Sequence, residues 1–116
     1  MIAAFDPGAN GGVAFQKNGI IAQKLPKNGK QWAELIELLR QCDVIYVEHL
    51  WSQPTRRHQA NWVLSGSFHQ IVMSIHLAGK EPTLVTPVQW QKRLGLDLPK
   101  DYDKKKKALA ALAKTI

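Results

Sequence analysis

Two short apolar runs in this chain end in a carboxylate. Residues 2–6 read IAAFD and residues 44–48 read VIYVE, so Asp6 and Glu48 close the two segments in the same way. Taken singly, Asp6 is explained by an Asx turn with Pro7 and Gly8, and Glu48 by a solvated strand end. As a pair across neighbouring strands they are better explained by chemistry. Like charges held side by side repel, and one pKa rises unless a cation lies between them. Hard carboxylate oxygens suit Mg²⁺ or Mn²⁺, and paired acids support two-metal phosphodiester hydrolysis. Asp6 and Glu48 are therefore expected to be metal ligands and catalytic residues.

For the acids to meet, their segments must be adjacent parallel strands. Residues 2–5, 12–16 and 19–25 read as strands separated by the turns PGANG and KNG, and Asn18-Gly19 between apolar runs is a strong hairpin signal. An antiparallel meander follows from this. Trp32, Leu35, Ile36 and Leu39 recur at helical spacing, which predicts a helix over 30–41 with Asn28 as its N-cap. Residues 43–48, rich in β-branched and aromatic side chains, read as a buried strand. A crossover through the helix sets this strand parallel to the first, at the centre of the sheet.

A second helix is expected over 59–78 and is ended by Gly79. Gly66 in its middle implies a close approach to another backbone, and Trp32, Trp62 and Trp90 read as core or near-core residues. TLVT is a last short strand. Thr86-Pro87-Val88-Gln89 is a capping box with proline at the first helical position, opening a helix that Gly95 stops. A final helix from about Asp101 buries Leu109, Leu112 and Ala113. The order β-β-β-α-β-α-β-α-α predicts an α/β fold with a mixed five-stranded sheet, three strands antiparallel and two parallel, flanked by helices.

The chain has 116 residues, of which 45% are hydrophobic, enough for one folded domain spanning 1–116. Its apolar runs are far shorter than the ~20 residues that span a bilayer, and its start lacks a signal-peptide layout, which points to the cytoplasm and away from membranes. Cys42 is the single cysteine, so internal disulfides and cysteine metal clusters are excluded, and it reads as a buried filler.

Charge is unevenly spread. Residues 1–50 hold five Lys/Arg and five Asp/Glu, whereas residues 51–116 hold eleven against four, so the whole net charge of +7 lies in the second half. That asymmetry is a footprint of nucleic-acid binding through counterion release. Lys104, Lys105, Lys106 and Lys107 fall where positive charge opposes the helix dipole, so phosphate contact explains them better than stability does. Arg56 and Arg57 lie in HLWSQPTRRHQ, the loop leaving Glu48, and could hold phosphates. Trp51 in the same loop is either a lid over the core or a platform for an unpaired base. His49 and His58 read as polar loop residues.

DPGANGGVAF, VEHLWSQP and LVTPVQWQKRLGL followed by a lysine-rich segment resemble, in order, the phage-type RuvC-like Holliday junction resolvases of the ribonuclease H-like superfamily. The resemblance implies a homodimeric endonuclease that cuts four-way DNA junctions with Mg²⁺ or Mn²⁺, with Asp6 and Glu48 matching the first two metal ligands. Such enzymes carry one or two further acids near the C-terminus in a pattern like D-x-x-D-A, which this sequence lacks. The expectation is a nuclease domain short of its last catalytic helix, either a fragment or a shortened relative. Two other classes stay open: a non-catalytic DNA-binding module of the same fold, and a phosphate-binding domain of the actin and sugar-kinase type, which would need a second such domain.

Overall fold

Alternation along the first strand sets the architecture. In β1 (Ile2–Asp6) Ala3 and Phe5 are buried while Ile2, Ala4 and Asp6 are exposed on the opposite face. The computed structural model describes residues 1–49 and 58–93. β2 (Gly12–Gln16) runs antiparallel to β1 and sets Phe15 opposite Ala3 and Val13 opposite Phe5, which extends the same apolar face. Asn18 and Gly19 both adopt positive φ, 57° and 133°, the left-handed geometry that returns the chain as a tight hairpin into β3 (Ile20–Lys24).

The N-cap is built as its sequence suggests. Asn28 Oδ1 accepts the Gln31 N–H at 2.9 Å, and Gln31 Oε1 accepts the Lys27 N–H at 2.8 Å, so two donors at the start of α1 (Gly29–Leu39) are satisfied reciprocally. The helix buries Leu35 and Leu39 and carries the chain back to β4 (Val44–Glu48), which pairs parallel with β1. α2 (His58–Leu77) and β5 (Thr83–Val85) repeat the crossover, and β5 pairs parallel with β4. The sheet order is β3-β2-β1-β4-β5. β1, at the centre, joins the antiparallel half to the parallel half.

One face of the sheet carries the core: Ala3, Phe5, Val13, Phe15, Ile45 and Val47 pack with Leu35 and Leu39 of α1 and with Ile71 and Ile75 of α2. Cys42 is buried in the same cluster, and burial pushes its thiol pKa up, as befits a filler. The chain divides into two compact units, Met1–Thr86 and Pro87–Ile116, and the whole sheet belongs to the first. In the second, α3 (Pro87–Arg93) starts at the proline of the capping box. Among the described residues no helix is long and apolar enough to cross a membrane.

Two expectations drawn from the middle of α2 are corrected. Trp62 is not a core residue: 81% of its surface is exposed. Among the described residues Gly66 meets no backbone of another element, since a Cβ placed there would have nothing within 4 Å outside its own stretch of helix. Both follow from where the buried stripe lies, because Ile71, Ser74, Ile75 and Ala78 are buried whereas the described side chains of residues 58–70 hold none at that level. Trp32 does pack against the core, half-buried. The side chain of Trp90, and the helix expected from Asp101, lie outside the described residues.

Candidate active site

The register of the central pair decides the site. β1 and β4 pair in parallel from Ile2 opposite Val44 to Phe5 opposite Val47, and the next residue on each strand is Asp6 and Glu48. Neighbouring strands lie about 4.8 Å apart. Because side chains alternate, both acids fall on the face opposite the buried Phe5 and Val47. Glu48 is flanked on its other side by Val85 of β5.

Asp6 is exposed as a residue, yet the surrounding atoms strip enough water to raise its carboxyl pKa above the ordinary 3.8. The chain then doubles back at once. Gly8, at φ 127°, donates its N–H to Ser67 Oγ of α2 at 3.0 Å, and Gly11 N–H reaches Gly8 O at 3.2 Å. A Cβ on Gly11 would collide with the Asp6 carbonyl oxygen, so only glycine lets the turn close against the acid. Beyond Glu48, the His49 N–H donates to Val85 O at 2.8 Å, and the His49 ring stacks on Phe68 of α2 with centroids 4.9 Å apart. Both strand ends are thus anchored to α2 through Ser67 and Phe68.

The opposite end of the pair has the reverse electrostatics. The Met1 ammonium lies 2.8 Å from Asp43 Oδ2, and the Asp43 N–H donates to Met1 O at the same distance. The hydrogen bond and charge of that ammonium hold the Asp43 pKa below the ordinary range.

The structure brings Asp6 and Glu48 together at adjacent strand ends. Trp51, Arg56, Arg57 and Lys104 to Lys107 lie outside the described residues. Among the described residues no group of three or more His, Cys, Asp or Glu is gathered to hold a metal. The two carboxylates nonetheless supply the donor chemistry of a Mg²⁺ or Mn²⁺ site, which is commonly one or two carboxylates completed by water and substrate phosphate. Sequence reasoning missed a cleft lined among others by the 8–11 turn, Lys24, Lys27, Trp62, Gly66 and Ser67. Its signal, Lys24 at the end of β3 and Lys27 in the connection to α1 lining a cleft with residues of α2, is spread over segments distant in sequence.

A sheet ordered β3-β2-β1-β4-β5, with only β3-β2-β1 antiparallel, and helices on its core face define a ribonuclease H-like fold. Two solved structures share it. Thermus thermophilus RuvC in complex with a Holliday junction substrate superposes with a TM-score of 0.59, at 16% identity over 81% of this chain and 70% of that one. A second Thermus thermophilus RuvC structure gives 0.50 at 15% identity, covering 81% and 68%. At such identities the likeness is one of fold. No protein-family model matches the chain, and no curated protein matches it in sequence.

Proposed function

We propose that this chain is a phage-type, RuvC-like endonuclease that resolves four-way DNA junctions by metal-dependent phosphodiester hydrolysis. The observation that carries the reading is the parallel register that makes Asp6 and Glu48 neighbours on one sheet face. Two adjacent carboxylates, one of them partly desolvated, cost stability in a protein that does not use them. In this reading they hold Mg²⁺ or Mn²⁺, which when bound supplies an activated water and a counter-charge for the leaving oxygen. Asp6 and Glu48 orient their oxygens from rigid strand ends. The Ser67 and Phe68 contacts keep those ends fixed against α2.

Trp51, Arg56, Arg57 and Lys104 to Lys107 are assigned to the DNA, the arginines and lysines to phosphates and the tryptophan to a base. A homodimer would bring two such sites to one junction, cutting strands in pairs. The Thermus thermophilus RuvC bound to a Holliday junction supports the choice of branched DNA over other phosphodiesters.

The test is incubation with a synthetic four-way junction and with plain duplex, in Mg²⁺ or Mn²⁺, beside an Asp6→Asn control. Metal-dependent junction cleavage that the control abolishes is the expected result. Junction binding without cleavage by the wild type would make the chain a DNA-binding module of this fold, and indifference to branched DNA at moderate salt would end both readings.

A further inference from the structure

A cleft of about 620 Å³ opens between the 8–11 turn, the connection from β3 into α1, and the first half of α2. It starts two residues after Asp6. Lys24 and Lys27 line it, and none of the described residues lining it is acidic. Trp62 stands on α2 at its edge, 81% exposed. A lone exposed aromatic is ordinary. An exposed indole that shares a cleft with two lysines and no acid is the combination that binds single strands, a stacking platform beside a cationic track.

Gly66 supplies a second, independent observation. It sits four residues after Trp62, on the same helix face, and also lines the cleft. Glycine weakens a helix interior relative to alanine. Packing against other elements does not demand it here, because among the described residues a Cβ would meet nothing within 4 Å outside its own stretch of helix. A missing side chain at this position keeps the floor next to the indole clear. Asn10 and Gln70 add hydrogen-bonding groups to the same lining.

We propose that this cleft receives a single DNA strand, with one base stacked on Trp62 and its neighbouring phosphates against Lys24 and Lys27. The proposal deepens the nuclease reading and rests on it for the source of the strand, since a branch point offers unpaired bases.

The test titrates wild type, Trp62→Ala, Trp62→Phe and Gly66→Ala with a fluorescent short oligothymidylate and, separately, with a four-way junction, without divalent metal. Trp62→Ala is expected to bind the oligothymidylate about 5- to 100-fold more weakly, and Trp62→Phe to recover most of the loss. Gly66→Ala is expected to raise the melting temperature and still weaken strand binding, which separates a filled cleft from a damaged fold. Equal oligothymidylate affinity of Trp62→Ala and wild type would overturn the proposal, as would wild type that binds thymidine monophosphate as tightly as the strand. If the cleft variants bind the junction and oligothymidylate as wild type does, the cleft fails and the nuclease reading stands. If strand binding depends on Trp62 but branched DNA is neither preferred here nor cut when Mg²⁺ or Mn²⁺ is added, the cleft stands and the nuclease reading fails.

Discussion

At the start of the β1–β4 pair the Met1 ammonium lies 2.8 Å from the Asp43 carboxylate, and at its far end Asp6 and Glu48 stand side by side. The same two strands, sharing one ladder and one buried face, therefore carry attraction at one end and two like charges at the other. Asp43 is held below its ordinary pKa by the ammonium, whereas Asp6 is pushed above it by lost water. The contrast separates two uses of a carboxylate. Asp43 is stabilised in its charged form by the ammonium beside it, whereas the charged form of Asp6 is disfavoured by lost water, the property that the proposed function would use.

The comparison can be broken most sharply at the acidic end. On the proposed function, Asp6→Asn should cut junction cleavage by about 1,000-fold, because losing a metal ligand would remove several kcal/mol of transition-state stabilisation, while circular dichroism shows an unchanged fold. A substitution beneath both ends should not discriminate between them: Leu39→Ala, fully buried against the sheet, should lower stability by about 2–5 kcal/mol in denaturant titration. Mg²⁺ should act on one end alone. At a free concentration 100 times its dissociation constant it should stabilise wild type by about 2.7 kcal/mol in a thermal melt and leave Asp6→Asn unmoved.

The smallest effects carry opposite signs. Asp43→Asn should lower the melting temperature slightly at pH 7. Because the folded Asp43 pKa lies below the ordinary 3.8, its contribution is complete above that value and is lost as pH falls through the lowered folded pKa, so melts of the two proteins should converge in acid. Asp6→Asn without metal should instead raise the melting temperature slightly at pH 7. The folded Asp6 pKa is raised, so ionising it costs stability as pH climbs past 3.8. A clear fall for Asp6→Asn would erase the contrast between the ends.

Much of this was legible in the sequence, for physical reasons that differ by element. IAAFD and VIYVE alternate into a half-exposed and a half-buried face, and the helix between them forces a parallel return, so the meeting of Asp6 with Glu48 follows from connectivity alone. Asn18-Gly19 encodes its own turn, and Asn28 its own cap. α2 was read correctly as a helix, from 58 where 59 was expected. Its period, however, cannot tell how much of its length lies over the sheet. Trp62 therefore looked buried and Gly66 looked pressed, although among the described side chains of α2 the deeply buried positions start at Ile71. The cleft was illegible because Lys24, Gly8 and Trp62 come from three elements that meet only after folding.

The parallel register of β4 also dictates a sequence of events. β1, β2 and β3 are joined by turns of a few residues and can pair from local encounters, whereas β4 must wait for a closure across α1 and β5 for another across α2. Asp6 is thus expected to be presented early, and its meeting with the Glu48 strand end falls in the late steps. A probe of the Asp6–Glu48 edge would report completed folding, while a probe in the β2–β3 hairpin would report only its beginning.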